Sequence, residues 1–397
     1  MVTRAGWSLA IGAILTIAAG RVLGLPELAV MGSTGLLLVV AAVVRARQPL
    51  PHLEVARRVH PSRVPVGGRS RVELIVTNRG RRRTSLLTLH DPVAGTIGAH
   101  VALAPLAPGA SQAASYRLPT DRRGLVEIGP LTMHRTDAFG LARRTAAVAG
   151  TDSLTVLPTI SPLRGRGVGS GLDDPLAGLS QRRAGGAGSE DFSTLRPYVV
   201  GDDLRRIHWA SSARADELLV RQDDPPWRGH ITVLLDARDE RTDPGRFELA
   251  VTATASILHA AAQQGDRARL IITDGTDTGL IDARAGADTL MEHLALVSLH
   301  AGGGLPDTPA DGRMSTGSLV LVSGSPTAAD LAALSAHRAR FATVRVVAFD
   351  DPAGYPVPTG PSLGPGVEVV RVESGQPFAS AWDLAGRRVA PTARVGL

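Results

Sequence analysis

The first forty-five residues are almost uninterrupted in apolar character. From Ala5 to Val44 only Arg21 and Glu27 carry charge. One apolar stretch runs from Ala5 to Leu25 and a second from Leu28 to Val44, with Leu25-Pro26-Glu27 supplying a turn. A helix needs about 17–25 apolar residues to cross the hydrocarbon core, so the pattern predicts a two-helix transmembrane hairpin over residues 1–47. A cleaved signal peptide ending near Ala18-Ala19 is the alternative, and the second apolar span argues against it. Past the hairpin the pattern changes to short alternating runs. Arg71–Thr77 alternates polar with apolar and ends at Asn78-Arg79-Gly80. Further runs at Ser85–Leu89, His100–Leu103, Ala113–Leu118, Gly124–Ile128, Leu131–His134 and Leu154–Leu157 predict an all-β sandwich over residues 52–158.

Residues 161–189 are rich in glycine and serine and predict a linker or loop. Residues 190–228 form a dense polar motif. From residue 229 to 373, buried strands alternate with amphipathic helices at Phe247–Gln264, Asp288–His300 and Thr327–Arg340, the order of an α/β domain with a largely parallel sheet. Residues 374–397 hold few apolar side chains and are expected to form a mobile tail.

Composition narrows the chemistry. The chain has 397 residues, no cysteine and 43 basic side chains, all arginine. The missing cysteine excludes disulfides, zinc–thiolate sites and a thiol nucleophile, and the missing lysine excludes a Walker-type phosphate loop. Residues 1–150 hold 19 arginines against 7 acidic residues, so the positive charge sits beside the hairpin. Arg4 on one flank and Arg45, Arg47, Arg57 and Arg58 on the other outnumber Arg21 at the turn, which predicts both ends and all following domains in the cytoplasm. The cluster Arg79, Arg81, Arg82, Arg83 reads as a solvated hairpin tip in preference to a lipid- or nucleic-acid-binding patch. No aromatic side chains interleave with it, and no nucleic-acid partner is expected.

The polar motif contains Glu190, Arg196, Tyr198, Asp202, Asp203, Arg205, His208, Trp209 and Arg214. Asp202 is placed to cap a short helix on which Leu204 and Ile207 share a face. Three readings compete. Arg196, Arg205 and Arg214 could receive an anion. His208 with Asp202 or Asp203 could act as an acid–base pair of a hydrolase-like enzyme. The third, preferred here, is a structural brace or docking surface.

The run E-D-F-x-x-L-R-x-Y-x-x-G-D-D-x-R-x-I-x-W-x-x-S-A-R, followed by Leu218-x-Val220-Arg221, resembles the signature of the DUF-58 family (domain of unknown function). Arg123-Gly124, Ile128-Gly129-Pro130-Leu131 and Asp137-x-Phe139-Gly140-Leu141 are similar to that family's upstream motifs. The resemblance implies a membrane-tethered partner of a MoxR-type AAA+ ATPase and assigns no catalytic residue. The α/β order also resembles a von Willebrand factor A domain, whose adhesion site needs Asp-x-Ser-x-Ser to encircle Mg²⁺ with hard oxygens. Here Asp236 is followed by Arg238 and Glu240, and the fourth strand ends in Ser323-Gly324. The metal site is therefore expected to be degenerate. The resulting expectation is a membrane-anchored, non-enzymatic adaptor with no cofactor and no bound metal. A Mg²⁺-dependent adhesion module and an enzyme using the His/Asp motif are the alternatives.

Overall fold

The computed structural model describes residues 2–49, 51–137, 139–164, 194–199, 207–215, 217–222, 230–240, 242–306, 317–350 and 367–388. They fall into two units, Met1–Pro158 and Thr159–Leu397.

The first unit opens with two apolar helices, α1 (Arg4–Leu23) and α2 (Pro26–Arg47). Thr3 caps α1 by accepting from the Gly6 amide, Gly24 ends it at φ 70°, and Pro26 starts α2 at a position that needs no amide donor. The helices meet through small residues. Gly6, Ala13 and Gly20 are buried on α1, and Gly32, Val39, Ala42 and Ala46 on α2. A methyl group on Gly32 would lie 2.6 Å from the Ala13 carbonyl oxygen, so glycine is what allows the backbones to approach so closely. The larger apolar side chains, among them Ile14, Leu15, Val30, Met31 and Leu37, point outward and are exposed. Each helix is long and apolar enough to cross a membrane.

Ten strands follow: β1 (Leu53–His60), β2 (Arg63–Pro65), β3 (Arg71–Asn78), β4 (Leu87–Asp91), β5 (Ala99–Leu103), β6 (Ser111–Arg117), β7 (Gly124–Ile128), β8 (Leu131–Thr136), β9 (Arg143–Ala149) and β10 (Asp152–Leu157). They pair as β1-β3-β6, β2-β10-β7 and β5-β4-β8-β9. Alternation does the sorting. In β3, Val72, Leu74 and Val76 turn inward and join Leu87, Leu89, Leu103, Ile128, Leu131, Met133, Leu154 and Val156 in one core. A buried Arg57 lies at the edge of that core. Its Nη1 donates to Asp91 Oδ1 at 2.8 Å and its Nε to Asp152 Oδ2 at 2.7 Å, while Tyr116 Oη donates to Asp91 Oδ2 at 2.6 Å.

Both ends of the helix pair are tied to the β8–β9 hairpin. At the start of α1, Thr3 Oγ1 donates to the Gly140 carbonyl at 2.6 Å and the Thr3 amide to that of Leu141 at 2.9 Å. At the end of α2, Arg135 Nη2 donates to the carbonyls of Arg45 at 2.8 Å and Gln48 at 2.9 Å, and Arg144 Nη1 to that of Arg47 at 2.7 Å. These arginines satisfy carbonyls that a helix C-terminus leaves without partners. The loop itself is held by Asp137, whose Oδ1 accepts from the Ala142 amide at 2.6 Å and whose Oδ2 accepts from that of Phe139 at 2.9 Å. Residues read as a family motif, Asp137, Phe139, Gly140 and Leu141, therefore form the seat of α1.

The second unit begins, among the described residues, with the antiparallel pair β11 (Thr194–Pro197) and β12 (Leu219–Gln222), with α3 (Trp209–Ala215) between them in sequence. A six-stranded sheet follows, formed by β13 (His230–Leu235), β14 (Arg267–Ile272), β15 (Ile281–Asp282), β16 (Ser318–Ser323), β17 (Thr343–Phe349) and β18 (Val367–Val372). Its spatial order is β15-β14-β13-β16-β17-β18, parallel except for β15. β13, β16 and β17 are nearly continuous runs of buried side chains, as strands covered on both faces must be. The helices are α4 (Pro244–Gln264), α5 (Ala287–Leu296), α6 (Ala328–Ala336) and α7 (Phe378–Arg388). Asp243 caps α4, accepting from the amides of Gly245 and Arg246, and Gly265 closes it at φ 75°. On α6, Leu331 and Leu334 pack with Leu234, Leu319, Leu321, Val344 and Val346.

Two expectations are corrected here. Residues 378–388, in the segment read as a tail, form α7, because Phe378, Ala381 and Trp382 give it one buried face. Ile207 is not on a helix, and Leu204, expected to share its face, lies outside the described residues. Ile207 forms a β-bridge with Val220, and α3 starts only at Trp209.

Candidate functional site

The chain runs from β13 outward to β14 and β15, then crosses back to β16, so the order of the strands reverses between β13 and β16. In open α/β sheets that switch point, beyond the carboxyl ends of the strands, is where ligands bind. Asp236 follows β13 directly and Ser323 ends β16, which puts both residues there. The Asp236 amide donates to the Val322 carbonyl at 2.9 Å, stitching the two strand ends together.

The crevice at this point is filled by Arg238. Its Nε donates to Asp236 Oδ1 at 2.8 Å and its Nη2 to Asp236 Oδ2 at 2.9 Å, a two-bond fork. Nη2 also lies 3.1 Å from Asp330 Oδ1. Ser323 Oγ donates to Asp236 Oδ2 at 2.7 Å. The second oxygen of Asp330 accepts from the Thr327 amide at 2.9 Å and the Thr327 hydroxyl at 2.8 Å, as the capping box of α6. Asp236 is 3% exposed, Ser323 0% and Asp330 6%. The hydrogen bonds that Arg238 donates to Asp236, outweighing the cost of burial, raise the arginine's pKa above its ordinary value.

This geometry answers the metal question. A hard divalent cation needs about six oxygen ligands with free lone pairs. Here both oxygens of Asp236 are committed to Arg238 and Ser323, and the Arg238 guanidinium already stands as the counter-cation between Asp236 and Asp330. Glu240 is exposed and makes no ion pair among the described residues. The residues present therefore do not fit a magnesium ion.

Sequence reasoning singled out Asp236, Arg238 and Ser323, which the structure brings together, and Glu240, which stays apart. It missed Asp330, although Thr327-x-x-Asp330 is a legible capping box. Thr273 and His300 stand beside the same strand ends. The Ala237 amide donates to Thr273 Oγ1 at 2.9 Å, and Thr273 Oγ1 lies 3.0 Å from His300 Nε2. Asp274 and Asp350, also at strand ends, are engaged elsewhere: Asp274 accepts from the Thr276 amide within a turn, and Asp350 pairs with Arg371.

Of the polar motif, Glu190, Asp202, Asp203 and Arg205 lie outside the described residues. Arg196 is in β11, opposite Val220. The Tyr198 amide donates to the Leu218 carbonyl and that of His208 to the Leu219 carbonyl, each at 2.8 Å. His208 Nδ1 accepts from the Ser211 amide at 3.2 Å, and Ser212 Oγ bridges the His208 carbonyl and the Leu219 amide. Ser212 is thus the brace of this corner. Trp209 is 66% exposed and Arg214 is exposed as well, on the same short helix.

Residues 194–348 match the model of the family described as Protein of unknown function DUF58. The match takes in β11, β12 and the whole switch-point crevice. The uncharacterized protein YeaD of Bacillus subtilis (strain 168) is 26% identical over 194 residues, 48% of this chain and 47% of that protein. The chain thus spans about half the length of that curated relative. Among solved structures, the CARDB domain of the PF1109 protein from Pyrococcus furiosus is 17% identical, with a TM-score of 0.22, covering 27% of this chain and 94% of that one. The putative ApaA protein from Bordetella pertussis is 14% identical, with a TM-score of 0.20, covering 27% and 98%. Neither likeness bears on function.

Proposed function

We propose that this protein is a membrane-anchored, non-enzymatic adaptor. Its α/β unit serves as a von Willebrand factor A-like interaction domain that works without a metal, and its polar motif docks a MoxR-type AAA+ ATPase. The observation that carries the reading is the closure of the switch-point crevice by Arg238. Where an open α/β sheet would receive a ligand, this chain supplies its own guanidinium, so recognition falls to its exposed surfaces. The strand order, with an antiparallel third strand at the edge, supports the von Willebrand factor A-like assignment. The crevice argues against the Mg²⁺-dependent adhesion alternative. Against the hydrolase alternative stands His208, whose Nδ1 lone pair is engaged by the Ser211 amide.

Anchoring is supported by the outward-facing apolar side chains of α1 and α2. The arginines Arg4, Arg45 and Arg47 at the open end of the helix pair favour that end, and the units attached to it, on the cytoplasmic side. Docking through Trp209 and Arg214 is supported by their exposure and by the prominence of Trp and Arg among residues that dominate interface energies. The partner class rests on the family resemblance of the motif.

The test is co-purification from detergent-solubilised membranes with wild-type chain, Trp209→Ala and Arg214→Ala. The adaptor reading expects a MoxR-type ATPase with the wild type and a loss of about thirtyfold or more with Trp209→Ala, the cost of a hot-spot truncation of about 2 kcal/mol or more. Equal recovery with all three chains would remove the motif as the docking surface.

A further inference from the structure

The arginine cluster read as a solvated hairpin tip does not stand alone in space. The segment between β3 and β4, with Arg81, Arg82 and Arg83, lines a cavity of about 1030 Å³ together with Arg45 at the end of α2 and Arg135 on β8. Five arginines and a single acidic residue, Asp137, line it, and the Asp137 carboxylate already accepts from the amides of Phe139 and Ala142. Among the described residues Arg45, Arg81 and Arg82 make no ion pair. Arg83 donates to the Pro105 carbonyl at 3.4 Å and makes no ion pair among the described residues. By contrast Arg79, in the same run but outside the cavity, pairs with Glu54 at 2.6 Å. Burial, then the charges of Arg144 and Arg45, lowers the pKa of Arg135, as expected where positive charge is not compensated.

Position selects the ligand. Arg135 holds the last carbonyls of α2, so the cavity opens where that apolar helix ends. Leu141 and Ala142, next along the chain from the cavity wall, pack against Val39, Ala42 and Ala46 of α2. The basin therefore lies level with the end of the apolar segment. A guanidinium cluster next to a spanning helix is placed to take phosphate-bearing groups from the membrane surface, with forked hydrogen bonds that suit phosphate oxygens. The absence of aromatic side chains among these arginines disfavours single-stranded nucleic acid as the occupant.

We propose that the basin formed by Arg45, Arg81, Arg82, Arg83 and Arg135 is a binding site for the phosphate headgroup of an anionic phospholipid. The site clamps the β unit to the surface of the bilayer in which the helices sit. This inference rests on the anchoring part of the proposed function.

The test uses the full chain in nanodiscs and vesicles of phosphatidylcholine with or without phosphatidylglycerol. Insertion is scored first, as vesicle association that resists alkaline extraction. Lipid preference is scored separately, as phosphatidylglycerol enrichment over phosphatidylcholine in the lipid retained by the purified protein. The wild type is expected to enrich phosphatidylglycerol. Arg81→Gln, Arg82→Gln and Arg83→Gln should each reduce the preference about fivefold, while Arg79→Gln leaves it unchanged. An inserted protein with no preference, or a triple Gln variant that keeps it, overturns the site and leaves the anchor standing. A protein that fails to insert overturns both. Inorganic phosphate at matched concentration serves as the remaining arm. If it removes the lipid enrichment, the basin is a site for soluble phosphate and the lipid assignment is overturned.

Discussion

Arg238 donates from Nε and Nη2 to the two carboxylate oxygens of Asp236, at 2.8 and 2.9 Å, in a crevice where Asp236 is only 3% exposed. The pair converts the ligand position of an open α/β sheet into a closed structural joint, which Asp330 extends to the start of α6. Removing the arginine leaves two buried carboxylates without a counter-charge. Arg238→Ala is therefore expected to destabilise the chain by about 3–5 kcal/mol. Thermal and urea unfolding of the full chain in detergent measure it. Arg238→Ser returns an oxygen ligand to the position, and its unfolding temperature is expected to rise with added Mg²⁺ while that of the wild type does not. A wild-type shift with Mg²⁺ would contradict the closure.

A second charged joint lies in the β unit. The side chains of Arg57 and Asp91 are 2% and 1% exposed, and Tyr116 completes the group. Burial, followed by the hydrogen bond to Asp91, raises the tyrosine pKa, so the hydroxyl keeps its proton and serves as a donor. Arg57→Met is expected to cost about 3–5 kcal/mol, because Asp91 is left charged and buried. Tyr116→Phe should cost about 1–3 kcal/mol, the range for removing a hydrogen bond to a charged group. Equal losses for the two variants would show that charge compensation is not the dominant part.

His134 gives the β unit a pH dependence. Burial first, then Arg143, His90 and His100, lowers its pKa below 6.5. The unfolded chain therefore takes up a proton at a higher pH than the folded one. The resulting stability is full above about pH 6.5 and declines as pH falls toward the lowered value. His134→Gln can keep the contact with Thr145 Oγ1, at 2.9 Å in the wild type, without titrating. Its urea midpoint is expected to fall less between pH 7.5 and pH 5.5 than the wild-type midpoint does. Parallel curves would remove the assignment.

The helix pair depends on backbone contact at Gly32. A methyl group there would come within 2.6 Å of both the Ala13 carbonyl oxygen and Ile17 Cγ1. Gly32→Leu is expected to force the helices apart and cost at least about 1–3 kcal/mol, the usual range for overpacking. Gly12 has open space around it, so Gly12→Leu serves as the control with little effect. Detergent-melt temperatures distinguish the two.

Much of this architecture is legible in the sequence where a pattern is long and one-sided. The apolar runs from Ala5 and Leu28 appear as helices over Arg4–Leu23 and Pro26–Arg47, and the alternation from Arg71 appears as β3. Shorter or weaker patterns are not. β9 (RRTAAVA) places alanine at most of its apolar positions and so carries little strand signal. β1 alternates correctly, but Arg57 sits at an inner position that only Asp91 and Asp152, from distant strands, explain. At the crevice, strand ends revealed Asp236 and Ser323, and the Arg at 238 was legible as hostile to a cation. Its partner Asp330 was not, because the contact joins the end of β13 to the first turn of α6, far apart in the chain. The arginines at 81–83 read as a solvated tip because sequence cannot show that Arg45 and Arg135 face the same space.

The claim on which the rest depends is that the helix pair spans the bilayer with both of its ends, and both units, on one side. The chain has no cysteine, so single cysteines report position without background. Leu25→Cys, between the helices, and Ala107→Cys, in the exposed segment between β5 and β6, are to be treated in intact cells with a membrane-impermeant maleimide. The account expects labelling of Leu25→Cys from outside, and labelling of Ala107→Cys only after the membrane is permeabilised. Labelling of both in intact cells, or of neither until permeabilisation, would contradict it.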